Sequence, residues 1–270
     1  MEDSFALYKG CWLSKRPPHY SCNLPTNQCV KLLNMRGGYL LRNVYSWDCG
    51  HETSFWYVIK DSFVGMEELS SKMRNQVKKS LKTYDVYRVP ASEMLRVGFP
   101  IFQAAVESYR VKASPITMES FRNRIQQSEI TGNVDFWCVY EKKTHKVVAL
   151  AINTLHKDCC EYNTMKADPA YLRNSTYPYY GLIYEMNRYY LQELCLKYVS
   201  DGARSITEHS GIQPFLIEKF HFRKAYCQLQ IVYQWWMKIA VNILFPFRKL
   251  VPVQSVKAIL NMEAMRRNKY

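Results

Sequence analysis

DFWCVYEKKTHKVVALAINTLHKDCCEYNTMKADP, residues 135–169, contains the clearest strand pattern of this 270-residue chain. Aromatic, β-branched and other apolar residues fill three runs, at 136–141, 146–156 and 159–166, and such residues favour strands. The polar breaks between the runs, KKTH and KD, have the length of hairpin turns. The segment therefore predicts three consecutive antiparallel strands.

Helix and strand patterns alternate after this segment, up to residue 233. Apolar residues at mixed spacings of three and four predict a long helix from Tyr179 to Lys197. A short strand around 198–206, a helix over 212–222 and a strand over 223–233 complete the order β-β-β-α-β-α-β. Hairpins followed by such crossovers give a mixed sheet with helices on its faces. Ligands of these sheets bind where neighbouring strands part at their carboxyl ends.

Residues 1–134 form an N-terminal part. Two apolar stretches within residues 29–47, CVKLLNM and YLLRNVYSW, flank RGG, whose glycines suit a hairpin turn. SFWYVIKD is typical of a third strand, because it is rich in aromatic and β-branched residues. A helix is expected over MEELSSKMRNQVKKSLKTY and a strand at DVYRV. Two further helices are expected over 92–109 and 117–128, the second capped by Thr117.

The first of these helices carries a dense set of cations. Apolar side chains at every fourth position give it one stripe for burial: Leu69, Met73, Val77 and Leu81. Five cations lie beside this stripe without an acid among them: Lys72, Arg74, Lys78, Lys79 and Lys82. Such a run is either a solvated helix face or a face that binds anions, and the sequence leaves both open.

The composition is that of an ordered, basic and tyrosine-rich protein. Hydrophobic residues make up 48% of the chain, which excludes disorder as its main state, and 10 Gly and 11 Pro are too few for a low-complexity architecture. The net charge of +14 attracts phosphate-rich partners such as nucleic acid, nucleotide cofactors or anionic lipid.

The C-terminal tail, residues 234–270, combines an apolar helix pattern with seven cations and one acid. Gln234, Lys238 and Asn242 form a narrow polar stripe on its first helix. The tail either packs on the protein's own surface or lies in the headgroup region of an anionic membrane. Its longest apolar run, 235–247, is too short to span a bilayer, so no transmembrane segment is expected.

Cysteine usage and the N-terminus indicate a protein of the cytoplasm. The nine cysteines are an odd number without a Cys-x-x-Cys pair, which argues against a disulfide framework and against zinc-binding spacings. Cys11, His19, Cys22 and Cys29 are the set from which a metal site would be built, but incidental thiols are expected and no metal is predicted. Residues 1–18 lack the apolar core of a secretory signal. Peripheral contact with the inner face of the membrane is the alternative location.

The order of elements over 135–233 resembles the second half of the GNAT N-acyltransferase fold. FWYVIKD, the basic stretch LSSKMRNQVKKSLK and the ending DGARSITEHSGIQPFLIEKFHFRKAY are similar to the FemAB-like branch of that superfamily, of Bacteroides type. The resemblance covers about residues 30–233. It implies an α/β (α+β) fold with a mixed, mostly antiparallel sheet and helices on both faces. The GNAT-like core is expected at 135–233, residues 1–134 complete the fold, and residues 234–270 form a helical tail.

The resemblance implies acyl or aminoacyl transfer to an amine. In GNAT enzymes the cleft lies where two strands splay, here those expected to end near Ala167 and Ser200, and backbone amides exposed there bind the carbonyl oxygen. The amine attacks directly once a base takes its proton, and an acid protonates the leaving group. The candidates for these roles are Glu161 on the strand that borders the cleft, Tyr179 and Tyr180 at the start of the long helix, and Glu208 and His209 in a strand-to-helix loop.

One departure from the GNAT pattern leaves the donor open. GNAT enzymes usually carry Gln/Arg-x-x-Gly-x-Gly/Ala before the long helix, where glycines let the backbone approach the pyrophosphate of coenzyme A. The corresponding RNSTYP, residues 173–178, lacks both glycines. The donor is either an acyl-CoA, held by Arg173, Asn174, Ser175 and Gly181, or an aminoacyl-tRNA. The residues expected to bind substrate are Arg74, Lys78, Asp201 and Arg204.

The acceptor implied by the resemblance is an amine on a small molecule, a sugar or a lipid-linked precursor in cell-envelope or surface-polysaccharide metabolism. A different class of function stays open beside this one. A non-catalytic, basic and tyrosine-rich module would bind RNA or an anionic membrane surface, because aromatic rings beside cations hold single strands without sequence preference.

Overall fold

The computed structural model describes residues 4–109, 116–206 and 211–270. In chain order the strands are β1 (Phe5–Tyr8), β2 (Cys11–Ser14), β3 (Leu40–Tyr45), β4 (Phe55–Lys60), β5 (Tyr84–Val89), β6 (Val134–Glu141), β7 (Val147–Leu155), β8 (Cys159–Ala167), β9 (Tyr198–Ala203) and β10 (Arg223–Tyr233). The α-helices are α1 (Thr26–Arg36), α2 (Ser71–Thr83), α3 (Ala91–Glu107), α4 (Met118–Thr131), α5 (Pro169–Leu172), α6 (Pro178–Asn187), α7 (Ile212–Phe220), α8 (Trp235–Leu244) and α9 (Gln254–Arg266).

The chain forms two compact units. The first contains residues up to 58 together with 203–213 and 223–270, and the second contains 59–202 and 214–222. The last strand and the tail therefore belong with the N-terminal strands, a division that differs from the predicted boundaries at 134 and 233.

In the first unit the strands follow the order β1-β2-β3-β10-β4. β10 is antiparallel to β3, from Leu40 opposite Tyr233 to Tyr45 opposite Gln228, whereas β2 is parallel to β3. A buried cluster joins α1 to this sheet and contains Phe5, Cys29, Leu32, Leu33, Leu41 and Val232. The unit is thus a mixed sheet with its own core.

In the second unit the strands follow the order β9-β8-β7-β6-β5. β5 to β8 are antiparallel to their neighbours, and β9 is parallel to β8. On one face Met94 of α3 and Phe121 of α4 belong to a buried cluster with Leu150 of β7. On the other face Asn153 of β7 donates a hydrogen bond to the Met186 sulfur of α6. The predicted sheet, mixed and mostly antiparallel with helices on both faces, is confirmed.

The element order predicted for residues 135–233 is also present. The three strands expected at 136–141, 146–156 and 159–166 are β6, β7 and β8, and the last strand, β10, covers 223–233 as expected. The long helix predicted from Tyr179 to Lys197 is shorter than that. It ends as α6 at Asn187, and a π-helical turn, Arg188–Glu193, follows it.

The hairpin predicted around RGG is wrong in its first half. CVKLLNM lies within α1, because Cys29, Leu32 and Leu33 have helical spacing and are all buried. Gly37 follows the helix with a φ of 75°, a conformation that glycine adopts freely, so the glycines end a helix instead of turning a hairpin. YLLRNVYSW contributes β3, as predicted.

The tail forms α8 and α9. Val241 and Phe245 are buried with Leu260 and Ala264 of α9, so the two helices pack on each other. In the part of the chain that the structure describes, no helix has both the length and the apolar character that crossing a bilayer requires.

Candidate functional site

β8 and β9 run side by side for a short distance and then separate. Their pairing begins at Cys159 opposite Tyr198 and ends at Glu161 opposite Ser200, whereas β8 continues to Ala167. The two strands therefore splay beyond Glu161, and the opening widens toward their carboxyl ends. We call this opening the splay.

A bulge lies on β8 directly inside the splay. Ile152 of β7 is opposite Thr164, and the next residue, Asn153, is opposite Tyr162, so Asn163 is an extra residue in β8. A bulge leaves its backbone groups outside the regular ladder, and here the ladder to β9 has already ended. The amides around Asn163 are therefore candidates to bind a carbonyl oxygen in the splay.

Tyr162 is the first residue of β8 beyond the pairing with β9, and a hydrogen bond fixes its phenol. The phenol donates a 2.8 Å hydrogen bond to Oδ1 of Asn187, and both side chains are buried. Burial raises the pKa of Tyr162 well above its usual value, and the Cys160 thiol and the Asp201 carboxylate add to the rise. Tyr162 thus stays a hydrogen-bond donor, and the predicted substrate residue Asp201 lies in its electrostatic neighbourhood on the other arm of the splay.

Glu161 is the last residue of β8 that pairs with β9, and it is partly exposed. Because side chains alternate along a strand, Glu161 points to the face opposite Tyr162. Its Oε2 lies 3.8 Å from Nε2 of His156, and among the described residues that nitrogen has no hydrogen-bond partner. A carboxylate and an imidazole therefore stand together where the strands part, which suits a proton acceptor.

Tyr179 lies at the other end of β8. Burial and the neighbouring Tyr109 raise its pKa far above the usual value, and a hydrogen bond to the backbone of Ala167 opposes the rise. Lys166 also contacts Tyr109, donating to its phenol. Glu161 and Tyr179 are not brought together, because Tyr179 lies beside Ala167 and the six steps from residue 161 to residue 167 extend about 20 Å along a strand.

The basic helix α2 packs beside the loop that precedes α6. Nζ of Lys79 donates to the Ser175 hydroxyl at 3.3 Å and lies 6.0 Å from the ring centre of Tyr177. Tyr177 has a φ of 58°, which is unusual outside glycine. Arg173, Asn174 and Ser175 are exposed in this loop.

The predicted anion-binding residues on α2 differ from each other. Lys78 is exposed, so it is open to a ligand. Arg74 is partly buried, donates to the Leu69 carbonyl at 3.2 Å, and has an Nε without a partner among the described residues. The sequence singled out Lys79 only as one of the five cations on α2, but it contacts Ser175 in the loop before α6.

Gly181 has a packing role where a phosphate-binding role was predicted. Its amide donates to the Ser80 hydroxyl at 3.0 Å, and a Cβ at this position would meet the same hydroxyl at 2.6 Å. The amide is therefore occupied, and the glycine allows α6 to approach α2. Tyr180, predicted to be catalytic, packs against Tyr177, Phe215 and Phe220.

Arg204, predicted to bind substrate, also contacts the protein itself. Its guanidinium donates to the Ser54 carbonyl at 2.8 Å and lies 5.6 Å and 4.4 Å from the ring centres of Trp56 and Tyr270. Glu208 and His209, predicted to be catalytic, lie outside the described residues.

Sequence reasoning missed a buried polar network between the sheet and α6. Oη of Tyr190 accepts from Trp137 at 2.8 Å and from Asn153 at 3.2 Å, and donates to Asp135 at 3.1 Å. Oδ1 of Asn153 and Nδ2 of Asn187 are buried without a partner among the described residues. The available signal was Asn153 inside the otherwise apolar run VVALAINTL, where a buried amide requires partners.

A cavity of about 660 Å³ lies in the first unit. Its walls come from α1, β10 and the tail, and they include Asn34, Tyr45, Gln230, Lys238, Glu263 and Arg266. Among the described residues, none of those predicted to act in catalysis or to bind donor or substrate lines it, whereas Trp235 and Lys238 of the tail do.

The structure is similar to several solved structures at low sequence identity. It matches FemX with a TM-score of 0.56 and 9% identity, covering 81% of this chain and 77% of that one. It matches the C-terminal domain of a putative lysylphosphatidylglycerol synthetase from Agrobacterium fabrum with a TM-score of 0.57 and 10% identity, covering 89% and 84%. It matches L-PGS from Bacillus licheniformis with a TM-score of 0.53 and 9% identity, covering 97% and 85%.

No protein-family model and no curated protein matches this chain by sequence. At 9–10% identity the structural similarities establish the fold alone. They confirm the GNAT-like fold that the sequence predicted, with FemX among the proteins that share it.

Proposed function

We propose that this protein transfers an acyl or aminoacyl group from an activated ester or thioester to an amine, in the splay between β8 and β9. The observation that carries the proposal is the splay itself, with the bulge at Asn163 placed where the pairing between the strands ends. The names of the similar structures add support, since two of them are lysylphosphatidylglycerol synthetase and L-PGS.

The reaction needs a base, an oxyanion site and an acid. The nitrogen of the acceptor attacks the carbonyl carbon and forms a C–N bond, while the C–O or C–S bond to the donor breaks. Glu161 or Asp201, on the two arms of the splay, takes the proton that the amine loses. The amides at the bulge receive the developing negative charge. The leaving oxygen or sulfur then receives a proton from the protonated base, because Tyr179 lies about 20 Å along β8 from Glu161, too far to reach the same carbonyl group.

Aminoacyl-tRNA is the donor that we favour. A pyrophosphate cradle at the start of α6 would require free amides and small residues, but the Gly181 amide is bonded to Ser80 and Tyr177 stands at the entry to the helix. The exposed cations Lys72, Lys78, Lys79 and Lys82 on α2 suit a long phosphate backbone, which binds through many contacts. The acceptor would be an amine on a small molecule, a sugar or a lipid-linked precursor.

The proposal is tested by donor discharge. Radiolabelled aminoacyl-tRNA and acetyl-CoA are each incubated with the protein and a panel of amine acceptors, and label transfer and free thiol are measured. We expect label to leave the tRNA only when an acceptor is present. Glu161→Gln and Asp201→Asn are compared, and the variant that removes the base should lower the rate by about 100-fold or more.

A matched control is Tyr87→Phe, since Tyr87 is an exposed tyrosine on β5. It should transfer at the rate of the unchanged protein, and so should Tyr179→Phe, because Tyr179 lies too far from Glu161 to reach the same carbonyl group. If Glu161→Gln or Asp201→Asn still binds aminoacyl-tRNA but no longer discharges it, the protein is an enzyme and not a module that only binds RNA. If neither donor loses its acyl group with any acceptor and neither binds at millimolar concentration, the proposed transfer is wrong.

A further inference from the structure

α8 and the residues that follow it present a row of large apolar side chains to solvent. Trp235, Ile239 and Ile243 stand four residues apart on α8, and the row continues at Phe247 and Leu250. These five side chains are between 53% and 80% exposed. Single exposed apolar residues are common, but a contiguous set of this size marks an interaction surface. We call this set the apolar row.

The opposite face of α8 is already buried. Val241 and Phe245 pack with Leu260 and Ala264 of α9, so the helix is anchored without the apolar row. Packing within the tail therefore buries one face of α8 and leaves the apolar row on the other face exposed. The apolar row is free to bind something outside this part of the chain.

The exposed charged side chains of the tail, residues 234–270, are all positive. Lys238, Lys249 and Lys257 are exposed, and within the described residues none of them forms an ion pair. The acid of this segment, Glu263, is buried and held by Arg266 and Arg267 at 2.6 Å. The tail thus combines large exposed apolar groups with exposed cations, and the acidic side chain of this segment is buried.

We propose that this surface docks the protein on a membrane rich in anionic phospholipid. The apolar row would enter the boundary between headgroups and acyl chains, with Trp235 and Trp236 at headgroup depth, where tryptophan is enriched. Lys238, Lys249 and Lys257 would contact lipid phosphates, each adding to the attraction. A second copy of this chain is a poorer occupant, because it would bring the same cations and a net charge of +14.

The test is co-sedimentation of the full chain with phospholipid vesicles, without donor or acceptor, so that it does not depend on the proposed transfer. Vesicles of phosphatidylcholine alone are compared with vesicles containing about one third phosphatidylglycerol, at low and high salt. We expect binding to the anionic vesicles, weakened by salt. Ile239→Gln with Ile243→Gln should lower the partition coefficient by about tenfold or more, because two buried apolar side chains are lost.

Matched controls keep the outcome specific. Ile130 is 77% exposed on α4 in the other unit, and Ile130→Gln should bind vesicles like the unchanged protein. Lys238→Glu with Lys249→Glu should weaken binding, whereas Lys143→Glu, at an exposed lysine of the β6–β7 turn, should not. Quenching of tryptophan fluorescence by brominated lipid should fall in Trp235→Phe.

Three results would overturn the inference. One is no binding to anionic vesicles by a protein whose circular dichroism shows it folded. Another is equal loss of binding in Ile130→Gln and in the double Ile→Gln variant. The third is a concentration-dependent dimer, in sedimentation velocity, that the double variant dissociates, because the apolar row would then be an interface between two copies.

Discussion

Gly181 lies where one added methyl group meets a neighbouring helix. A Cβ there would be 2.6 Å from the Ser80 hydroxyl and 3.2 Å from a Leu81 methyl group. Gly181→Ala therefore forces α6 away from α2, and we expect it to lower the free energy of unfolding by about 1–3 kcal/mol. Urea unfolding followed by circular dichroism measures the change.

Gly211 offers the control for this substitution. Among the described residues, no atom stands within 4 Å of a Cβ built at Gly211, so Gly211→Ala should leave the unfolding midpoint almost unchanged. If the two variants unfold at the same urea concentration, the close approach at Gly181 contributes nothing to stability. Adding Ser80→Ala to Gly181→Ala should restore part of the loss, because the hydroxyl is the nearest clashing atom.

The hydrogen bond from Tyr162 to Asn187 gives a second prediction at a single residue. Tyr162→Phe removes the donor and leaves Oδ1 of Asn187 buried without a partner, beside an Nδ2 that has none among the described residues. We expect a loss of about 1–3 kcal/mol in the free energy of unfolding. Tyr87→Phe, at an exposed phenol, should cost almost nothing in the same urea titration. Equal stability of the two variants would show that the buried hydrogen bond is replaced by water.

The basic helix α2 begins at a serine cap, so the contribution of this helix to stability can be tested by replacing Ser70. The Ser70 hydroxyl accepts from the Met73 amide at 3.3 Å, and Met73 and Val77 of the helix are buried. Ser70→Ala should destabilise the protein by about 1 kcal/mol, as the loss of an N-cap does. Thermal unfolding should show a lower midpoint, while Ser70→Asp, which can also cap, should restore it.

How far the elements could be predicted depended on whether local pattern and tertiary packing agreed. β6, β7 and β8 were found because alternation and turn signals coincide in one segment. CVKLLNM was misassigned because five of its seven residues are apolar, so only the spacing of Cys29, Leu32 and Leu33 separates helix from strand. The end of α6 at Asn187 has no glycine or proline to mark it.

The sequence predicted which strands border the candidate site. It did not predict which face of β8 each side chain occupies, because that depends on the pairing register between β7 and β8. Glu161 was placed on the correct strand, but the extra residue at Asn163 changes the faces of Tyr162 and Thr164, and no residue type signals a bulge. Arg204 looked like a substrate residue in a polar loop. Its partner Tyr270 is far along the chain, and sequence spacing does not reveal such a contact.

At the scale of the whole molecule, the positive charge is concentrated in α2 and in the tail rather than spread evenly. If α2 binds a polyanionic donor, Lys78→Ala with Lys79→Ala should weaken tRNA binding and make it less sensitive to salt, because fewer counterions are released. Filter binding at several salt concentrations measures the slope. Lys238→Ala with Lys249→Ala, equal in charge, should leave the tRNA affinity nearly unchanged. An equal loss of tRNA affinity in both double variants would show that tRNA is attracted by the net charge of the protein alone.

The pH dependence of stability should be set in part by Glu263, which joins the tail to β10. Burial raises the pKa of Glu263, but hydrogen bonds from Arg266, Arg267 and Tyr233 outweigh it, so the pKa lies below its usual value. A lowered pKa means that the unfolded chain takes up its proton first as the pH falls. The stabilisation is therefore complete above the unfolded pKa of about 4.3 and is lost as the pH falls through the lower folded value.

Glu263→Gln tests this argument, because it keeps the shape of the side chain and removes the charge. At neutral pH we expect a loss of about 2 kcal/mol in the free energy of unfolding, the size of a hydrogen bond to a charged group. Below the folded pKa the free energies of unfolding of the variant and the unchanged protein should converge. Urea titrations between neutral pH and pH values below the folded pKa would measure this.

Asp48→Asn is the matched comparison. Arg223 lowers the Asp48 pKa through a hydrogen bond, but the pair is partly exposed and solvent screens it. Its effect should be smaller, and a larger effect than that of Glu263→Gln would place the acid sensitivity of this unit at its surface instead of at the base of the tail.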